Sequence, residues 1–339
     1  MTPPNDSSPA SVYRAAGVDL GASDETMARI KTAVTATYTP NVLAGLGAFG
    51  GLFDASALKA LNAPVLVAST DGVGTKTKVA AALARYDTIG HDLVNHCVND
   101  LLVQGARPLF FLDYVASGRL EPPLTAALIT GVAEGCRAHG IPLLGGETAE
   151  LPGVYVEGEF DLVGTLVGMV DRAKLVTGEK IRAGDLVLGL ASGGLQTNGF
   201  SLARHVLAGS YDESLGDTTV GDALLAPHRS FLDALTPLLN AGLVRGMAHI
   251  TGGGLPGNLP RSLPDGLGAV VTPTWDVPEI FTLIQRRGNV DRDEMFSVFN
   301  MGVGFVFVVS PENLEMVHKL APEAFGVGEI IKDEGTQIL

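Results

Sequence analysis

Apolar residues along this chain recur with two periods, one helical and one extended, and polar punctuation separates them. After Ser23-Asp24-Glu25, which offers a helix start, Met27, Ile30 and Val34 fall at helical spacing until Pro40. From Pro64 the pattern becomes strand (PVLVAST), loop (DGVGTK) and helix (TKVAAALARY). Residues 88 to 104 then set Ile89, Leu93, Cys97 and Leu101 four apart on one helical face, while Asp92, His96, Asn99 and Asp100 fall together on another. Gly105 and Pro108 end that helix, and LFFLDY predicts a buried strand finishing at Asp113. A helix over 124–138, a strand at IPLLG, a loop at GETAELPG and a strand over 160–170 follow. Strands alternating with helices predict an α/β fold with mixed α+β character.

Around Asp171 the chain turns polar (DRAKLVTGEKIRAGD) before a new strand, LVLGLA. That shift predicts two domains, over 13–170 and 171–339, behind a mobile tail at 1–12. The second half places the loop SGGLQTNG before the helix FSLARHVL, opens another helix with the glycine cluster of AHITGGGLPGNLPRSL, and closes with the strand GFVFVVS and a helix from Pro311. No fixed short repeat runs through it, which excludes a solenoid.

Composition narrows the class. With 339 residues, 46% hydrophobic and 18% charged, the chain can bury a large core, and two domains fit its length. Its 43 glycines are roughly twice the usual share of about 7% and follow no collagen period, so they serve turns or close backbone approach. The net charge of −14 is shared evenly by the two halves and disfavours nucleic acid and anionic membrane surfaces. The amino terminus shows no leader pattern and no run reaches a membrane span, so a soluble, cytoplasmic protein is expected. Cys97 and Cys136 lie in apolar helical patterns and are expected to be buried thiols.

The sharpest chemical feature is Thr70-Asp71-Gly72-Val73-Gly74-Thr75-Lys76, set directly between an apolar strand and a helix. Glycines there let backbone N–H groups close on an anion, the helix adds its positive end, and Lys76 adds a point charge. It is neither a Walker A loop nor a dinucleotide fingerprint, and alone it reads equally as an ordinary turn with a surface lysine. Asp71 ends a strand, Asp100, with Asn99 beside it, lies on the polar stripe, and Asp113 ends the adjacent strand. Oxygen ligands on several elements are what Mg2+ requires, although each acid singly is more often a cap or a solvated charge. Asp92 and His96, one turn apart, are expected to satisfy each other. Glu147 follows a short strand and either faces the same cleft or starts a helix. Ser192, Gly193, Gly194, Gln196, Thr197 and Asn198, and later His249, Thr251, Gly252 and Gly253, offer places for a second anionic group such as a sugar phosphate. His249 alone reads as a core or rim histidine.

With those residues laid out, the chain resembles the phosphoribosylformylglycinamidine cyclo-ligase family, the aminoimidazole ribonucleotide synthetases of purine biosynthesis. The resemblance runs nearly the full length, from YRAAGVD through GLGAFGG, STDGVGTK, DTIGHDLVNHCVNDLLVQGARPLFFLDY, GGETAELPG, SGGLQTNGFSLAR, LLAPHR, HITGGGLPGNLPR, GNVDRDEMF and FNMGVGF. It implies an amino-terminal sheet that pairs with a second subunit in a shared barrel, hence a homodimer, and a carboxyl-terminal α/β domain. By the same resemblance Asp71 and Asp100 occupy the nucleotide and metal positions, Lys76 faces phosphate, and the 45 to 51 loop, with Gly45, Gly47, Phe49 and Gly50, closes over ATP. Thr70, Gly72, Gly74, Thr75, Asn99, Asp113 and Glu147 fall to nucleotide binding, and the two later loops to the ribonucleotide. The implied cofactors are ATP and Mg2+, with a monovalent cation as a further candidate.

The implied reaction phosphorylates the formyl oxygen of formylglycinamidine ribonucleotide with ATP, after which the substrate's own nitrogen attacks and phosphate leaves. Two positions depart from many relatives: Gln196 stands where they carry histidine, and Met301 where they carry cysteine. Position 196 is therefore assigned to binding rather than proton transfer. A selenophosphate synthetase is disfavoured because no cysteine precedes Cys97, and the carbamoyl-processing enzymes that end in cysteine because this chain ends Gln-Ile-Leu. A thiamine phosphate kinase and a non-catalytic nucleotide-binding module are the remaining rivals.

Overall fold

The computed structural model describes residues 17–339; the tail expected over 1–12 lies outside the described residues. Helix α1 (Leu20–Thr35) begins ahead of Ser23-Asp24-Glu25, because the Asp19 carboxylate accepts from the Gly21 and Ala22 amides and caps it earlier. Strands β1 (Val42–Ala44) and β2 (Leu52–Phe53) pair antiparallel, so the 45–51 glycine-rich segment is the turn between them, with the Phe49 side chain fully exposed.

The first main sheet is built from β3 (Pro64–Gly72), β4 (Arg107–Ser117), β5 (Leu143–Glu150) and β6 (Phe160–Asp171), in the order β3-β6-β4-β5. Only β4 and β5 run parallel. Between these strands lie α2 (Lys76–Leu83), α3 (Ile89–Leu102) and α4 (Pro122–Ala138). Two expectations are corrected: β4 continues past Asp113 to Ser117, and GETAE is strand rather than loop, because residues 145–150 pair in register with 112–117. Helix α3 sits directly on the sheet, since a side chain at Gly164 would meet Leu93 and one at Gly168 would meet Leu101. At Gly90 an added Cβ would lie 2.1 Å from the Val132 nitrogen, so α3 and α4 cross in backbone contact.

The second half runs β7 (Leu186–Ala191), α5 (Phe200–Leu207), the small pair β8 (Ser214–Leu215) and β9 (Thr218–Thr219), α6 (Val220–Leu225), α7 (Leu232–Asn240), β10 (Val244–His249), α8 (Gly254–Asn258) and β11 (Gly268–Val271). It ends with α9 (Glu279–Gly288), α10 (Arg292–Val298), β12 (Val303–Val309), α11 (Leu314–Leu320), β13 (Phe325–Ile331) and β14 (Gly335–Ile338). Its six strands order as β10-β12-β7-β13-β11-β14, antiparallel except for β11 with β14. β12 is buried along its whole length, as its unbroken apolar run requires of a strand covered on both faces. One apolar core joins Val73 and Val79 of the first half to Leu195, Phe200 and Leu224 of the second. The halves are thus packed through side chains, and the polar face of α3 is enclosed between them.

Candidate active site

Helix α3 is buried on its polar stripe as well as its apolar one. Asp92, His96 and Asn99 are all enclosed, and each meets a group from the second half. Asn99 is fixed by two backbone partners: its Oδ1 accepts from the Phe231 amide at 2.9 Å and its Nδ2 donates to the Arg229 carbonyl at 2.8 Å. His96 Nδ1 lies 2.8 Å from the Thr197 hydroxyl, which also touches His228 Nδ1 at 3.2 Å. His228 Nε2 is 3.0 Å from His249 Nε2, and His249 Nδ1 is 2.8 Å from Asp100 Oδ1. The ring closes on the first half, where His96 Nε2 faces Asp71 Oδ2 at 2.8 Å and Asp100 Oδ2 at 3.6 Å.

Burial alone would raise both aspartates, but hydrogen bonds and charge from His96 at Asp71, and from His249 and then His96 at Asp100, hold each below the ordinary carboxylate range. Burial likewise opposes the charged form of His96, yet the two carboxylates raise its pKa. Burial lowers His249, and lowers His228 strongly.

These groups form one wall of a cavity of about 550 Å³ between the halves. Ser69, Asp71, His96 and Asp100 face Thr251 and Arg261 across it. Asn258 Nδ2 donates to the Thr251, Gly252 and Gly254 carbonyls and so holds the second glycine loop in place. Two carboxylates from separate elements, each directing an oxygen at one point beside a glycine turn, are a donor set that fits a divalent cation such as Mg2+.

Several expected site residues stand elsewhere. Lys76 does not present its charge to a phosphate: it is fully buried, with Nζ 2.8 Å from Asp92 Oδ2 and donating to the Ala226 and Gln196 carbonyls. Burial lowers its pKa and raises that of Asp92, while each restrains the other. Asp92 is therefore satisfied by Lys76 and by the His228 amide, which donates to it at 2.6 Å, and not by His96. The Thr70 side chain points to the opposite face of β3 from Asp71 and meets Thr165. Asp113 shares the helix-covered face with Asp71, but Gly164 of β6 separates them, a span of roughly 10 Å across two strand spacings. Glu147 is exposed on β5, at the far edge of the sheet from β3, and does not enter the cavity.

In the second half, Ser192 is buried on Asn300, which also holds the Gly194 and Leu195 carbonyls. Gly193 and Asn198 stay at the rim of that loop. Gln196 is buried in a left-handed conformation (φ 63°), and neither of its amide atoms has a partner among the described residues. Met301, the other departure, shares that backbone region (φ 48°). His228 is a site residue that the sequence alone does not single out: nothing in LLAPHR distinguishes an interior histidine from a surface one until the halves are packed.

Two family models match, "AIR synthase related protein, N-terminal domain" over residues 53–170 and "AIR synthase related protein, C-terminal domain" over 182–339. The chain is 52% identical to a phosphoribosylformylglycinamidine cyclo-ligase of Anaeromyxobacter sp. (strain K), covering 94% of this chain and 95% of that one. Among solved structures it resembles thiamine-monophosphate kinase from Stenotrophomonas maltophilia K279a (TM-score 0.67, 18% identity, 93% and 95% of the two chains). It also resembles the hydrogenase maturation protein HypE in complex with ATP (TM-score 0.60, 18% identity, 97% and 88%). At such identities these two likenesses speak to the fold alone.

Proposed function

The chain belongs to the phosphoribosylformylglycinamidine cyclo-ligase family, and on that premise we propose that the inter-half cavity is where it closes the imidazole ring of formylglycinamidine ribonucleotide at the expense of ATP. The reaction moves the γ-phosphoryl group to the formyl oxygen, turning a poor leaving group into phosphate. The amidine nitrogen then attacks the same carbon, the carbon–oxygen bond breaks, and ADP, phosphate and aminoimidazole ribonucleotide leave, a ligase step of purine biosynthesis. Because nucleophile and electrophile belong to one molecule, the protein's task is to position them and to stabilise developing charge.

One observation carries the assignment: the Oδ2 atoms of Asp71 and Asp100 converge on one point, His96 Nε2, at the cavity beside the Gly72–Thr75 turn. Asp71 and Asp100 would hold Mg2+, whose charge would neutralise the triphosphate there, and the amides of the turn before α2 would face the phosphates. Thr251, Gly252 and Gly253, with Arg261 behind them, receive the ribonucleotide, aided by Gly193 and Asn198 at the rim of the other loop, while the buried Ser192, Gly194 and Thr197 hold that loop and His96 in place. The 45–51 turn, carrying the exposed Phe49, closes over ATP. Lys76, Asn99 and Gln196 act as packing and positioning groups, consistent with their burial.

We further read the protein as a cytoplasmic homodimer whose two domains meet near Asp171. No helix among the described residues is long and apolar enough to cross a membrane, and the sheet face away from α3 leaves Leu66 60% exposed. The test is ADP release with and without formylglycinamidine ribonucleotide. Substrate-dependent ADP, matched by ring product, is expected, falling at least about a hundredfold in Asp71→Asn and Asp100→Asn. ATP binding without turnover, or full activity in both variants, would refute the assignment.

A further inference from the structure

We propose that the cation site of this chain is a mixed oxygen and nitrogen site, with the His96 imidazole as a third protein ligand beside Asp71 and Asp100, and that it prefers a first-row transition dication such as Mn2+ or Co2+ to Mg2+. The proposal rests on the reading above that the two aspartates hold a divalent ion, and it goes on to assign the ion's chemical class.

Each aspartate has one oxygen committed and one directed at the same nitrogen. Asp71 Oδ1 accepts from the Gly72 amide at 2.7 Å, which leaves Oδ2 at 2.8 Å from His96 Nε2. Asp100 Oδ1 is held by His249 Nδ1 at 2.8 Å, which leaves Oδ2 at 3.6 Å from the same Nε2, with the Ser69 hydroxyl at 3.2 Å its other partner among the described residues. All three ligand atoms lie within 4.8 Å of one another. Adjacent ligands on a six-coordinate ion with bonds of about 2.1 Å stand roughly 3 Å apart, and the two measured separations bracket that value. The arrangement needs little more than the exchange of a proton for a metal ion.

His96 is also held as metal-bound histidines are held. A ligating imidazole characteristically donates its second N–H to a fixed acceptor, which sets the ring orientation. Here Nδ1 lies 2.8 Å from the Thr197 hydroxyl, inside a side chain only 4% exposed. The Thr197 oxygen can accept that N–H, and it also lies 3.2 Å from His228 Nδ1. The other nearby group, His96 with His228 and His249, also has clustered nitrogens, but it is the weaker alternative. His228 Nε2 is occupied by both His249 and the fixed Asn99 amide at 3.1 Å, and only the aspartate group pairs its nitrogen with two anions at the cavity wall. Mg2+ takes oxygen and retains its waters, whereas imidazole strengthens binding of Mn2+, Co2+ and their neighbours.

The test is pulsed EPR on the full-length protein loaded with Mn2+ and a non-hydrolysable ATP analogue. Wild type is expected to show a directly bound nitrogen, and protein grown with 15N-histidine should shift that coupling, which fixes its origin without any substitution. In His96→Gln the coupling should vanish and Mn2+ affinity fall about tenfold, while Mg2+ affinity changes less than about twofold; in His228→Gln the coupling should remain. Mn2+ binding without histidine nitrogen, or coupling that survives His96→Gln, overturns the proposal and leaves the aspartate site standing. Failure of Asp100→Asn to weaken either ion removes both.

Discussion

Asp113 carries a carboxyl oxygen that has lost water without gaining a partner among the described residues. Its Oδ2 is buried and unbonded, and desolvation pushes its pKa from 3.8 to about 7. In the unfolded chain the group ionises near its ordinary value, so between about pH 4 and 7 the unfolded state releases a proton that the folded state keeps. Stability therefore falls as pH rises through that window and levels off above it. Asp113→Asn should be stabilising by up to about 4 kcal/mol at pH 8 and by little at pH 4, measured as the difference in urea midpoints; equal effects at both pH values would contradict the burial argument. Lys76 makes the opposite case, a buried charge with a full set of partners. Lys76→Met leaves the buried Asp92 charge with only the His228 amide among the partners described and should cost about 3–5 kcal/mol, most of it recovered when Asp92→Leu is added. A phosphate-binding lysine would behave otherwise: unchanged stability and weakened ATP binding.

Helix α3 explains both what could be read in advance and what could not. Its apolar repeat of Ile89, Leu93, Cys97 and Leu101 placed it within two residues at either end, because burial against a sheet demands that spacing. Its polar stripe was recognisable as unusual, yet its partners were not, since Thr197, His228 and His249 lie more than a hundred residues away and only chain packing brings them in. Asp92 and His96, near in sequence, look like a pair, but Lys76 and Asp71 outcompete that contact. The helix also sets the position of the site, as His96 and Asp100 ride on it and Gly90 fixes how closely it approaches α4. Gly90→Ala should therefore cost about 3 kcal/mol or more, since the new carbon meets backbone rather than a movable side chain, and should lower turnover as well. Gly257→Ala, with nothing within 4 Å of the added carbon, should stay within about 0.5 kcal/mol. If the two variants unfold at the same denaturant concentration, close helix crossing is not what Gly90 provides.

On the scale of the whole molecule, strand and helix order was legible from alternating periods, while strand order was not. Glu147 shows why: its place beyond a short strand fits either the Asp71 cleft or a helix start, but β5 adds to the far edge of the sheet through β4, and that pairing leaves no local trace in the sequence. The same topology exposes a face that a single copy does not cover. With α3 and α4 on one side, the other side carries Leu66 and Ala68 of β3, Val163 and Val167 of β6, and Phe110, Leu112 and Tyr114 of β4, all exposed or half-buried. Alternation along the strands makes this a coherent apolar surface rather than a scatter of side chains. In the proposed homodimer a second copy of the same face would cover it, bringing Glu147, exposed beside Tyr114, into the interface. Light scattering of wild type should then give about twice the 35.1 kDa chain mass. Leu66→Glu combined with Leu112→Glu should give the single-chain mass while preserving the circular dichroism spectrum, because both side chains point away from the core. A wild-type protein of single-chain mass, or a charged variant that still pairs, would place the subunit contact elsewhere.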